Sequence, residues 1–159
     1  MSSKIKVGEK GPNFTLPDTA MKPRSLKEFW GRKIVLAFFV GAFMSSCTKE
    51  MCEFRDSMAH LIELNAQVIG ISVNDPFSNK AFAEKNMLPF PLLSDYKREI
   101  IKTSGLELPN FAGLEGYTVD KRSIFILDQK RIVRNVWVSD NPAVEPDYQE
   151  IQNILQQIH

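Results

Sequence analysis

Two cysteines and two histidines are too few, and wrongly spaced, for a zinc site in this chain, so no metal is expected. Two cysteines are also too few to staple a secreted, disulfide-framed domain. No surplus of one charge exists either: 20 Lys and Arg face 19 Asp and Glu, a formal net charge of +1. Nucleic acid and other polyanions therefore have little to hold. The longest apolar stretch, residues 34–43, falls well short of the ~20 residues that a membrane helix needs. The opening residues up to Lys10 carry no apolar leader core, so a cytoplasmic protein without membrane contact is expected. There is no internal repeat and no low-complexity linker, and the length suits one domain over residues 1–159.

What is present is alternating strand and helix patterning. Residues 10–22, rich in Pro, Gly, Thr and Asp around Asn13-Phe14-Thr15-Leu16, predict an extended arm or short hairpin. Ser25-Leu26-Lys27-Glu28-Phe29-Trp30 predicts one helical turn. Residues 33–39 are nearly all apolar and β-branched or aromatic, as in a central strand covered on both faces. From about 47 to 65, Met51, Phe54, Met58, Leu61 and Ile62 recur at helical spacing and predict one amphipathic helix. A second buried strand follows over residues 67–73, then a helix to about Asn86 opened by Asn74-Asp75-Pro76. Residues 90–94 suggest a short strand. Asp95 is a candidate cap for a helix through about Ser104, stopped by Gly105. Residues 108–119 read as a loop, 122–127 and 132–138 as a hairpin turning at 128–131, and 146–158 as a last helix. The order is that of an α/β sheet protein compatible with a thioredoxin-type fold.

Chemistry concentrates in Ser45-Ser46-Cys47-Thr48-Lys49-Glu50-Met51-Cys52, where a buried strand passes through a loop into a helix. A cysteine at a helix N-terminus faces unpaired amides and the positive end of the dipole, which favours thiolate. Thiolate attacks peroxide, and the resulting sulfenic acid condenses with a nearby thiol such as Cys52. Spacing alone, however, leaves two small core cysteines as the simpler reading. Glu50 reads as a first-turn acid complementing the dipole, and Ser45 and Ser46 as helix caps. Arg55 and Asp56 read as surface charges without a chemical role.

The whole segment from Val40-Gly41-Ala42-Phe43-Met44 through Cys47 and Cys52 to Glu53-Phe54-Arg55-Asp56 resembles the active-site stretch of peroxiredoxins. The similarity is greatest to the bacterioferritin comigratory protein subgroup, whose resolving cysteine lies five residues after the peroxidatic one. Further blocks agree: Val7-Gly8-Glu9-Lys10-Gly11-Pro12-Asn13-Phe14-Thr15-Leu16-Pro17, then Ser25-Leu26-Lys27-Glu28-Phe29, Phe90-Pro91-Leu92-Leu93-Ser94-Asp95, and Lys121-Arg122-Ser123-Ile124-Phe125-Ile126-Leu127-Asp128. The resemblance implies a thioredoxin-like α/β fold with a central mixed sheet flanked by helices and an N-terminal arm or hairpin. It implies reduction of hydrogen peroxide and organic hydroperoxides through a Cys47 sulfenate and a Cys47–Cys52 disulfide, recycled by thioredoxin or a similar dithiol. No metal, haem or flavin cofactor is implied. Arg122 would stabilise the thiolate and the peroxide oxygens. A monomer or a homodimer is expected.

Two positions depart from the family's Pro-x-x-x-Thr/Ser-x-x-Cys pattern: Val40 stands at the proline and Met44 at the hydroxyl that bonds peroxide. Ser45 and Ser46 carry hydroxyls nearby but out of register. These departures support a competing reading, a peroxide-responsive sensor with little or no turnover. A thioredoxin-like interaction module without redox activity is a third.

Overall fold

The structure, a computed structural model, describes residues 4–158; residues 1–3 and 159 lie outside it. The expected arm is a hairpin in which β1 (Thr15–Pro17) pairs antiparallel with β2 (Pro23–Ser25). Asp18 closes its turn by accepting from the amides of Ala20 (2.8 Å) and Lys22 (3.0 Å). Ser25 then caps a single 3-10 turn, Leu26–Phe29. Its hydroxyl accepts from the Lys27 amide and the Glu28 carboxylate accepts from the Ser25 amide, a reciprocal box that fixes the turn.

The strand β3 (Lys33–Phe38) is buried throughout, as its unbroken apolar run requires. The helix expected over 47–65 is two helices, α1 (Ser45–Asp56) and α2 (Met58–Glu63), separated at Ser57. The break shifts the helical phase. Met51, Phe54 and Leu61 are buried and Met58 packs at the edge of the core, whereas Ile62, assigned to the same stripe, is 66% exposed.

Next come β4 (Ala66–Ser72) and α3 (Pro76–Asn86), the latter capped by Asp75, whose carboxylate accepts from the Ser78 amide (2.8 Å). After β5 (Leu92–Ser94), α4 (Glu99–Ser104) begins with Arg98 at the N-cap position, so Asp95 is not the cap residue itself. It nevertheless serves that end, because its two carboxylate oxygens accept from the amides of Ile100 (3.2 Å) and Ile101 (3.0 Å). Gly105, at φ 72°, stops the helix. The expected loop over 108–119 is closed at its base by a short ladder, β6 (Glu107–Leu108) against β7 (Val119–Asp120). The chain ends in β8 (Arg122–Leu127), β9 (Val133–Ser139) and α5 (Tyr148–Gln157), which buries Ile151 and Leu155.

The five main strands form one mixed sheet in the order β5-β4-β3-β8-β9. On one side β3, β4 and β5 run parallel; on the other β8 and β9 are antiparallel. Close approach of β4 to β5 depends on Gly70, where a Cβ would meet Leu92 Cδ2 at 2.6 Å. The functional consequence of the order is positional. Pairing of Phe38 with Ser123 sets the start of β8 beside the end of β3, where the chain enters the loop before α1.

Candidate active site

The ladder of β3 ends with the Phe39 amide donating to the Ile71 carbonyl (2.9 Å). Residues 40–44 then turn tightly enough to place Phe43 in the left-handed region (φ 69°), its ring set edge-on to Phe82 at 5.4 Å. Asn74 braces this loop by accepting from the Ala42 amide (2.8 Å). Met44 occupies the N-cap position of α1 and offers no side-chain cap, so neither Ser45 nor Ser46 is the capping residue. Cys47 lies in the first turn and is fully buried.

The sheet order brings Arg122, from the far side of the chain, onto Cys47. Its guanidinium is also fully buried, and Nη2 donates to the Cys47 sulfur at 3.2 Å. The same nitrogen donates to Ser46 Oγ (2.7 Å) and to the Pro142 carbonyl (2.7 Å), while Nη1 donates to Glu50 Oε1 (2.6 Å). Ser46 Oγ in turn donates to the Pro142 carbonyl (3.0 Å). The segment carrying Pro142 is tied to α1 again where Glu145 pairs with Lys49 (3.4 Å) and accepts from Tyr148 Oη (2.7 Å), and where Tyr148 sets its ring edge-on to Phe54.

Glu50 is therefore not an exposed acid at a helix start. It is wholly buried one turn beyond Cys47 and paired with Arg122, and its Oε2 has no hydrogen-bond partner among the described residues. Burial pushes its carboxyl up from 4.5 to about 7, with Arg122 pulling the other way. The helix position alone predicts a depressed thiol at Cys47, whereas in this closed arrangement burial raises it above its ordinary 9.0. Arg122 and the backbone amides of Gly41 and Val40 oppose that rise, and the Glu50 charge adds to it. Val40 keeps an amide hydrogen that a proline there would lack, and that amide is the smallest of the influences that hold the thiol down.

Cys52 is half-buried further along α1, and no disulfide joins it to Cys47. Its thiol donates to Asn86 Oδ1 at 3.6 Å, at the end of α3. Arg55 is likewise not a free surface charge, since its Nη1 donates to the Asn86 carbonyl (2.8 Å). Of the residues singled out from sequence, Cys47 and Arg122 are brought into contact and Cys52 is held separately. Glu50, Ser46, the Pro142 carbonyl and Asn86 complete the surroundings; only the first two lay in a segment already under suspicion.

Comparison with known proteins adds an independent line. The family described as AhpC/TSA matches residues 7–136. Peroxiredoxin Q, chloroplastic, from Populus jackii is 39% identical over 135 residues, covering 85% of this chain and 61% of that protein. Peroxiredoxin Q, chloroplastic, from Triticum aestivum is 40% identical over 134 residues, 84% of this chain and 59% of that protein. The chain thus spans about three-fifths of the length of these curated relatives. Among solved structures, peroxidoxin BcpB from Mycobacterium tuberculosis superposes with a TM-score of 0.84 at 30% identity, covering 98% of this chain and 99% of that one. A cysteine-to-serine mutant of PrxQ from Xylella fastidiosa gives 0.86 at 20% identity, with 98% of both chains covered, a likeness of fold.

Proposed function

The chain belongs to the AhpC/TSA family, and from that premise we propose that it is a thiol peroxidase that reduces hydrogen peroxide and organic hydroperoxides. Cys47 is the nucleophile, Arg122 its electrostatic partner, and Cys52 the thiol that resolves the product. The observation that carries the reading is the buried Arg122 Nη2 donating to the Cys47 sulfur at 3.2 Å. A permanently charged guanidinium in a dry site favours thiolate and meets the negative charge that develops on the peroxide oxygens.

In the first step the Cys47 thiolate attacks the terminal oxygen of ROOH and the O–O bond breaks. Sulfur keeps OH as sulfenic acid, and the departing alkoxide takes up the proton that the thiol released, leaving as ROH. In the second step Cys52 sulfur attacks Cys47, an S–S bond forms, and the oxygen leaves as water. Residues five apart on a helix have Cα atoms roughly 8.6 Å apart. A disulfide needs them within about 7 Å. The first turns of α1 must therefore open in the second step. An external dithiol, of the kind thioredoxin carries, then returns the pair to the reduced state, in a cytoplasm or another compartment that keeps thiols reduced.

Intact-mass analysis after a peroxide pulse tests the assignments. Wild type should lose two hydrogens, Cys52→Ser should stop at the sulfenic acid, and Cys47→Ser should consume no peroxide. Peroxide consumption by Cys47→Ser at the wild-type rate would place the nucleophile elsewhere. Sustained turnover with thioredoxin supports an enzyme; one oxidation per chain without turnover points to a sensor.

A further inference from the structure

The two thiols of α1 are held in different ways, and the hold on Cys52 comes from another helix. Asn86 is the last residue of α3, and the next residue, Met87, turns into the left-handed region (φ 51°, ψ 49°). The orientation of the Asn86 amide is settled because its Nδ2 donates back to the Phe82 carbonyl (3.0 Å). Oδ1 therefore faces outward, where it accepts from the Cys52 thiol at 3.6 Å, a length suited to the larger sulfur atom. The main-chain carbonyl of the same residue, one of those left open at a helix C-terminus, accepts from Arg55 Nη1 (2.8 Å). Cys52 and Arg55 are three apart and so share a face of α1. One residue of α3 thus clasps two side chains of α1.

We propose that Asn86 is a positioning residue for the second half of the reaction: it latches the reduced Cys52 thiol on α3 and so sets how fast Cys52 reaches the Cys47 sulfenic acid. This rests on the reading of Cys52 as the resolving thiol. When the disulfide forms, the Cys52 sulfur gives up the proton it donates to Oδ1 and turns toward Cys47. The S–S bond forms as the Cys47 S–O bond breaks, and the oxygen departs as water with that proton and its own. Whichever part of α1 moves, the contact to Oδ1 is lost on the way. A bond present in the reduced state and absent at that transition state slows the step it precedes. The latch lies outside the Arg122 cluster, so it leaves the attack on peroxide untouched.

The test is a peroxide pulse quenched at intervals with an alkylating reagent and read by intact mass, for wild type, Asn86→Ala and Asn86→Asp. Asn86→Ala should form the Cys47 sulfenic acid at the wild-type rate and the disulfide roughly two- to tenfold faster, the range of one net neutral hydrogen bond. It should also accumulate less sulfinic acid at high peroxide. Asn86→Asp restores an acceptor and should form the disulfide no faster than wild type. An unchanged or slower disulfide step in Asn86→Ala overturns the latch, as does a faster one in Asn86→Asp, which stands as a test even if the alanine variant folds poorly. If wild type never loses two hydrogens, the reading of Cys52 as resolving thiol fails and the latch with it. If wild type does and Asn86→Ala is no faster, the latch alone fails.

Discussion

Two successive turns of one helix give the same side chain opposite surroundings. At the start of α1, Cys47 is fully buried and held by a charged cluster drawn from the beginning of β8 and the segment after β9. Five residues on, Cys52 is half-buried and held by a neutral amide from α3. Charge acts strongly only where water is kept out, since the same interaction is worth several times more in a protein interior than in solvent. On the proposed reading, Arg122 and Glu50 set the reactivity of Cys47, and a hydrogen bond sets the timing of Cys52. The alkylation rate of Cys52 is accordingly the internal control for every change made around Cys47.

Removing the guanidinium breaks this contrast most severely. Arg122→Ala takes away the cation beside the thiolate and leaves Glu50 buried without its partner. Sulfenate formation should fall by roughly 10²–10³-fold, the usual loss when a preorganised charge donor is deleted. Breaking a buried pair from one side should also cost about 3–5 kcal/mol of stability. Cys52 alkylation by a neutral reagent should stay near wild type. Thiolate titration with single-turnover oxidation measures the first effect and denaturant unfolding the second; an unchanged oxidation rate would remove Arg122 from the chemistry.

A smaller change restores what position 44 lacks. The Ser46 hydroxyl spends its proton on the Pro142 carbonyl, so it has none to offer a peroxide oxygen in this arrangement. A hydroxyl at position 44 would add a hydrogen bond to a charged or developing-charge oxygen, worth roughly 1.5–3 kcal/mol. Met44→Thr should thus accelerate oxidation of Cys47 by about 10-fold or more in stopped-flow measurements. No acceleration would mean that the loop over residues 40–44 already supplies its donor from the backbone.

Glu50 gives the comparison a pH dependence. Its carboxyl is pushed from 4.5 up to about 7, so over that interval the folded chain holds a proton that the unfolded chain releases. The contribution is therefore fully present below about 4.5 and lost as the pH rises to about 7, by roughly 3 kcal/mol across the full gap. Glu50→Gln should lack this decline in a pH series of unfolding curves. Without the carboxylate charge, which adds to the rise at Cys47, the Cys47 thiol should also ionise at lower pH. A wild-type and a Gln profile that run parallel from pH 4.5 to 7 would show that Glu50 does not titrate there.

Much of this was legible in the sequence where local chemistry decides the outcome. The unbroken apolar run of β3, the Asp75-Pro76 start of α3 and the single helical turn after Ser25 all form as local rules require. The break at Ser57 was not legible, since serine is tolerated inside helices and the apolar spacing continues past it. Glu50 was misread for a different reason. An acid in the first turn normally faces water, and only the pairing of β3 with β8 reveals that a buried cation waits there. Asn86 carried no local signal at all, because its role depends on α3 ending against α1.

The finest test of the Cys47 end concerns Ser46, a residue whose ordinary reading was a helix cap. Its hydroxyl sits between two partners, accepting from Arg122 Nη2 at 2.7 Å and donating to the Pro142 carbonyl at 3.0 Å. The hydroxyl bonds Arg122 and Pro142 and not the sulfur, so its effect passes through Arg122. Ser46→Ala deletes one of four contacts on the guanidinium and leaves Glu50, Cys47 and the Pro142 carbonyl to hold it. The remaining contacts keep the charge in place but loosen its aim, so oxidation of Cys47 should slow by only about two- to tenfold, the scale of one net hydrogen bond. Ser46→Thr retains the hydroxyl and should recover most of that loss. Cys52 alkylation should not change in either variant. A loss as large as that of Arg122→Ala would mean instead that Ser46 meets the peroxide directly, with its proton turned from Pro142 to the substrate when the site is filled.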